Sequence, residues 1–151
     1  MSKEPDMRLL LSGISVLVVD DNLETLELFD LFLTQSGATV ATAITVETAL
    51  KTMAEFYPDI LITDLKLPDG NGYDLLAMVR NLQSGSAKVI PAIAVTGYST
   101  RLAAPSDSQG AVSFGFQKFL VKPVNVGELL VTIAELTQSA AQGLHPYNCS
   151  I

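Results

Sequence analysis

Pro58-Asp59-Ile60-Leu61-Ile62-Thr63-Asp64-Leu65-Lys66-Leu67-Pro68-Asp69-Gly70-Asn71-Gly72 is the stretch from which the rest of the chain is read. Residues 58–63 form an apolar run without alternation, the pattern of a strand covered on both faces. The run delivers Asp64 at its carboxyl end. Residues 65–72 turn the chain back, and Tyr73, Leu76, Ala77, Val79 and Arg80 then recur at helical spacing. A carboxylate buried alone is costly. Asp64 therefore belongs in the crevice outside the strand ends, where open parallel sheets bind ligands. A single Asp that merely caps a turn would look the same, so the neighbouring segments must decide.

The same unit of buried strand, polar end and helix recurs on both sides. Upstream, Ser15-Val16-Leu17-Val18-Val19 runs into Asp20-Asp21, and Asn22 is a good N-cap for a helix with Leu23, Leu26, Phe29 and Leu33 on one face. Gly37 stops that helix, 38–43 reads as a second strand, and Thr45 caps a helix through Ala49, Leu50, Met53 and Phe56 that ends at Pro58. Downstream of the helix ending near Gln83 come a loop at 84–88, a strand at 90–95 ending in Thr96-Gly97, and a strand at 116–121 ending in Lys122-Pro123. Residues 98–113 leave room for only a short, weak helix. Asn125-Val126-Gly127-Glu128 has capping-box spacing and opens a last helix through Leu129, Leu130, Ile133 and Leu136.

Five strands alternating with helices make an α/β chain, (βα)5, with a doubly wound parallel five-stranded sheet. We expect a leader at 1–13, one domain at 14–137 and a tail at 138–151. The length of 151 residues suits a single core. With 48% hydrophobic residues and a mean hydropathy of +0.36, the chain is globular rather than disordered. A net charge of −7 speaks against direct nucleic-acid binding. No apolar run reaches membrane-spanning length, and the leader lacks a signal-peptide core, so a cytoplasmic location and no membrane contact are expected. The single Cys149 excludes an internal disulfide framework, and Asn148-Cys149-Ser150 is an accidental sequon.

All carboxyl ends of a parallel sheet lie at one edge, so Asp20, Asp21, Asp64, Thr96 and Lys122 should converge. One like-charge pair 4 Å apart costs about 4 kcal/mol at an effective dielectric of 20. Three carboxylates therefore need raised pKa values or a cation. Lys122 supplies one positive charge and a divalent ion would neutralise the rest. All-oxygen ligands suit Mg²⁺ as cofactor, and zinc is disfavoured because His145 and Cys149 both lie in the tail. Beside such an ion Asp64 would be a carboxylate nucleophile able to form an aspartyl phosphate. Lys122 and the Thr96 hydroxyl would stabilise the phosphoryl oxygens. Gly97 offers no side chain to obstruct the entering group, and a cis peptide at Lys122-Pro123 would aim the ammonium inward.

These fragments together, Val-Val-Asp20-Asp21-Asn22, Ile-Thr-Asp64-Leu-Lys-Leu-Pro68-Asp-Gly-Asn-Gly72, Val-Thr96-Gly97 and Phe119-Leu-Val-Lys122-Pro123, resemble the receiver domain of two-component response regulators over about residues 14–137. The resemblance implies the flavodoxin-like, CheY-like strand order 2-1-3-4-5. It implies that Asp64 is the phospho-acceptor, that Asp20 and Asp21 with the Lys66 backbone carbonyl hold the metal, and that Thr96 and Lys122 sense and hold the phosphoryl group. Phe119 matches an aromatic switch position, although a core strand residue would look the same. The expected function is a phosphorylation-activated switch. Its donor is a histidine kinase or phosphotransfer protein, and its output is a protein contact near Phe119 and the last helix, homodimerisation included. Such a chain catalyses only its own phosphorylation and dephosphorylation and is not an enzyme in the ordinary sense.

Departures from the family are a longer segment between Thr96 and Lys122 and a cation, Lys66, two residues after the acceptor. We expect Lys66 to change the lifetime of the phosphorylated state. The chain reads equally as a stand-alone regulator or as a receiver from a hybrid kinase. A phosphatase with an aspartyl intermediate is the rival from the enzyme class, but haloacid dehalogenase-like enzymes carry Asp-x-Asp after the first strand, against Asp20-Asp21-Asn22 here. A binding module that is never phosphorylated would not need the full acidic set. A flavin carrier would need a phosphate loop that the first strand lacks.

Overall fold

The five apolar runs become β1 (Ser15–Val19), β2 (Thr39–Ala43), β3 (Ile60–Asp64), β4 (Ala92–Thr96) and β5 (Lys118–Val121). The computed structural model describes residues 10–83, 89–97 and 115–141. The leader up to Leu9, the 84–88 loop, the weak helix expected within 98–113, and His145 and Cys149 lie outside these residues. All neighbouring strands pair in parallel, in the order β2-β1-β3-β4-β5, the 2-1-3-4-5 arrangement that the resemblance implied. The helices among the described residues are α1 (Leu23–Gln35), α2 (Val46–Phe56), α3 (Gly72–Leu82) and α4 (Val126–Ala141).

Strand parity sorts the side chains between two cores. Leu17, Val19, Leu61, Ala92 and Ala94 face α2 and α3, where Ala49, Met53, Leu75, Leu76, Val79 and Phe116 meet them. Val16, Val18, Ile60, Ile62, Ile93 and Val95 face α1 and α4, against Leu26, Phe29, Leu33, Leu129 and Ile133. Both central strands β3 and β4 are buried along their whole length, which is why their sequences show no alternation. Each such side chain contributes roughly 1.5–3 kcal/mol by leaving water, so a one-residue register slip would be prohibitive. Since α1 leaves β1 toward one face and α3 leaves β3 toward the other, the sheet has its switch point between β1 and β3.

Several expected boundaries and faces shift. Leu23, placed on the buried stripe of α1, is 63% exposed, because it opens the helix one turn before the stripe of Leu26, Phe29 and Leu33. In α3 the buried positions are Gly72, Leu75, Leu76 and Val79, while Ala77 is exposed. The last helix runs to Ala141 rather than giving way to a tail at Gln138. At the other end, Leu11 is fully buried in the α1 and α4 core and its N–H donates to the Ser36 carbonyl at 2.8 Å, so this part of the expected leader is docked. Residues 65–72 do more than turn: Lys66–Leu67 and Gly70–Asn71 form a two-residue antiparallel ladder.

Candidate functional site at the carboxyl ends of the strands

Register brings the polar strand ends into step. Val19 pairs with Thr63, which sets Asp20 beside Asp64, and Asp64 itself pairs with Val95, which sets it beside Thr96. Thr96 pairs with Val121, so Lys122 follows at the same rim. The Lys122 N–H donates to the Thr96 carbonyl at 2.7 Å, extending the ladder by one bond at the site. The Lys122–Pro123 peptide is cis.

The side chains of Asp20, Asp21, Asp64 and Lys122 come together. One carboxylate oxygen each from Asp20, Asp21 and Asp64 lies within 4.8 Å of the others. Lys122 Nζ donates to Asp20 Oδ2 at 2.7 Å and to Asp64 Oδ2 at 3.3 Å. The remaining oxygens are held by backbone: Asn22 N–H donates to Asp20 Oδ1 at 2.8 Å, and Lys66 N–H to Asp64 Oδ1 at 3.2 Å. Asp20 is 2% and Asp64 8% exposed, whereas Asp21 is open to solvent. Thr96 is fully buried, and its hydroxyl donates to the Gly97 carbonyl at 3.3 Å. A Cβ on Gly97 would meet nothing within 4 Å, so the chain's own packing does not demand glycine there.

Formal charges of −3 from the three carboxylates and +1 from Lys122 leave −2 on the cluster. Burial raises the Asp64 pKa above the ordinary carboxylate value, and the nearby Asp20 charge adds to this, against the Lys66 N–H and Lys122, which lower it. For Lys122, burial works to lower the pKa, but the Asp20 hydrogen bond and charge and the Asp64 charge together hold it above the ordinary lysine value. Among the described residues the donor set is entirely oxygen, with a residual double negative charge and one solvent-facing carboxylate. That fits a hard divalent cation which keeps part of its water shell.

The other expected site residues sit at the periphery. Phe119 lies in β5 opposite Ala94 and is half-buried against the α2 and α3 core. The Lys66 side chain is exposed, beside the acceptor in sequence and tied to it through its N–H. Two further residues that shape the site went unread in the sequence. A Cβ on Gly72 would fall 2.7 Å from the Asp64 carbonyl oxygen and 3.1 Å from Leu65 Cα, so only glycine lets α3 start this close to the acceptor. Asp69 reaches 23 positions back in the chain, accepting from Val46 N–H at 2.8 Å and from Glu47 N–H at 3.1 Å. Residues 65–72 read as a turn, but nothing local announced that contact.

The sequence matches the response regulator receiver domain family over residues 16–134. The 14.6 kDa protein in the sodA1 3′ region of Leptolyngbya boryana is 36% identical over 120 residues, 80% of this chain and 87% of that one. The sensory/regulatory protein RpfC of Xanthomonas campestris pv. campestris is 31% identical over 127 residues, 84% of this chain, which spans only 17% of that much longer relative. Among solved structures, the response regulator receiver domain protein (CheY-like) of Methanospirillum hungatei JF-1 superposes with a TM-score of 0.75 at 29% identity, covering 87% of this chain and 98% of that one. A family match through all five strands, the 2-1-3-4-5 sheet and the acidic cluster at its switch point lead to one conclusion: the chain belongs to the response regulator receiver domain family, the phosphorylation-activated switches of two-component signalling.

Proposed function

We propose that Asp64 accepts a phosphoryl group from a histidine kinase or phosphotransfer protein, with Mg²⁺ held by Asp20, Asp21, Asp64 and the Lys66 carbonyl. The observation that carries this reading is the meeting of three carboxylates within 4.8 Å of one another, two of them hydrogen-bonded to the Lys122 ammonium, at the switch point. Mg²⁺, when bound, supplies charge neutralisation for the phosphoryl oxygens. An Asp64 carboxylate oxygen forms the bond to phosphorus while the bond from phosphorus to the donor imidazole breaks, its electron pair leaving with nitrogen. Partial burial strips water from the Asp64 carboxylate and leaves it a stronger nucleophile. Lys122 already touches that carboxylate and stabilises the charge that develops on the phosphoryl group. The Thr96 hydroxyl turns from the Gly97 carbonyl to a phosphoryl oxygen, vacating space beside β5 that Phe119 fills.

The signal then leaves by protein contact on edge strand β5 and α4. Phe119 on β5 is half-buried and Val131 on α4 is 45% exposed, so both elements offer apolar side chains to a downstream protein or a second copy. Among the described residues no helix is long and apolar enough to cross a membrane. The proposal has a site-resolved test. After incubation with acetyl phosphate and Mg²⁺, borohydride reduction converts an aspartyl phosphate to homoserine. Peptide mass spectrometry should place homoserine at position 64, and homoserine elsewhere, or none, contradicts the assignment.

A further inference from the structure

We infer that Asp69 is a positioning residue for the acceptor loop, setting the cation affinity of the site by pinning residues 66–71 to the first turn of α2. The inference deepens the reading of the site as Mg²⁺-dependent and rests on it. Asp69 Oδ1 accepts the Val46 N–H at 2.8 Å and Oδ2 accepts the Glu47 N–H at 3.1 Å, so the carboxylate spans two successive amides. These are the first two amides of α2, which have no partner within the helix. The next is satisfied locally, since Thr48 N–H donates to Thr45 Oγ1 at 3.0 Å, and Ala49 N–H bonds to the Thr45 carbonyl at 3.0 Å. The helix thus has its own cap, and Asp69 adds a tether from another loop.

What that tether holds is the segment bearing the acceptor's partners. Lys66 pairs with Asn71 and Leu67 with Gly70, a ladder of two residues that is too short to be rigid alone. Asp69 sits at its tip. The same tip packs on α2, since a Cβ on Gly70 would lie 3.3 Å from Val46 Cγ2 and Leu67 is buried in the α2 and α3 core with Val46. At the other end of the ladder the Lys66 N–H holds Asp64 Oδ1 at 3.2 Å, and Gly72 N–H bonds to the Leu65 carbonyl at 2.9 Å. Releasing the tip therefore loosens both the acceptor carboxylate and the Lys66 peptide. The cation would then have to order the loop as it binds, and its affinity falls.

Groups that orient metal ligands from behind typically change affinity by 10–100-fold, and Asp69 acts one bond further back, so Asp69→Ala should weaken Mg²⁺ binding about tenfold. The test is an amide-resolved NMR titration of the unphosphorylated full chain with MgCl₂, together with amide exchange in metal-free buffer. Asp69→Asn, which keeps one acceptor oxygen, should fall between wild type and Asp69→Ala, and it serves if the alanine variant does not fold. Thr137→Ala removes a buried hydroxyl that bonds to the Ile133 and Ala134 carbonyls within α4, on the opposite face of the sheet from α2, and should leave the Mg²⁺ affinity unchanged. In Asp69→Ala, but not in Thr137→Ala, exchange at the Lys66 amide should speed up. Unchanged Mg²⁺ affinity in both Asp69 variants, or equal weakening by Thr137→Ala, overturns the positioning role. Wild-type protein that binds no Mg²⁺ overturns instead the reading of the site on which the role rests.

Discussion

Lys122→Met removes the ammonium from between two buried carboxylates while keeping an unbranched apolar stem. With Asp20 Oδ2 at 2.7 Å and Asp64 Oδ2 at 3.3 Å, the two attractions are about 6 and 5 kcal/mol at an effective dielectric of 20, before desolvation is subtracted. Deleting one partner of a buried pair costs about 3–5 kcal/mol because the other charge stays behind. A quarter of the Lys122 side chain reaches solvent, at 25% relative exposure, so the lower end applies and we expect a loss of about 3 kcal/mol at pH 7.5. The assay is urea unfolding of both proteins without divalent cations, at pH 7.5 and at pH 5. The folded-state pKa of Lys122 is raised, so its contribution is complete below the free-lysine value and fades only as pH rises through the raised one. Titration of Lys122 itself therefore changes nothing between pH 5 and 7.5. Asp64 already has a raised pKa, and the variant loses the Lys122 hydrogen bond and charge that lower it, so protonation relieves the repulsion with Asp20 as pH falls. The difference between the proteins should narrow at pH 5. A loss below about 1 kcal/mol, the worth of an exposed pair, or an identical loss at both pH values would refute the reasoning.

Asp64→Asn should be at least as stable as wild type at pH 7 by urea midpoint, since the raised Asp64 pKa means that the proton favours the fold and that ionisation costs stability as pH climbs through that pKa. A lower midpoint would contradict this. Gly72→Ala forces a Cβ against the Asp64 carbonyl and should destabilise by about 1–3 kcal/mol and slow phosphorylation, read by unfolding and by adduct formation. Gly97→Ala meets no atom within 4 Å and should keep stability within about 0.5 kcal/mol, yet slow adduct formation if the open space is the path of the phosphoryl group. Lys66→Ala should change the decay rate of the phosphorylated protein, followed by mass after donor removal, because an exposed cation stands two residues from the acceptor; an unchanged rate ends that idea.

The sheet and the cluster were legible because both follow from short-range signals. Unbroken apolar runs at 15–19 and 60–63 identify strands covered on both sides, and the polar residue ending each run is carried to the common rim by parallel pairing. Caps were equally local: the side chains of Asn22 and Thr45 accept the amides three residues on, as their positions before apolar-periodic runs imply. What stayed hidden depends on tertiary approach. The Asp69 tether crosses 23 positions, and the Gly72 constraint comes from how closely the start of α3 approaches Asp64 and Leu65. On α3 the period correctly places Leu76 and Val79 in the core and Tyr73 against it, but Ala77 fits it nearly as well as the buried Gly72 and Leu75 do. The end of α4 was set too early, although Ser139 to Ala141 contains no Gly or Pro to stop it.

The central claim is that the acidic pocket makes Asp64 a metal-assisted acceptor. Intact-mass measurement of the chain with acetyl phosphate, with Mg²⁺ or with a chelator in its place, tests it most directly. The account predicts one labile phosphoryl adduct that needs Mg²⁺ and is lost in Asp64→Asn. No adduct on the wild-type chain, or one that persists in Asp64→Asn or in the chelator, would contradict it.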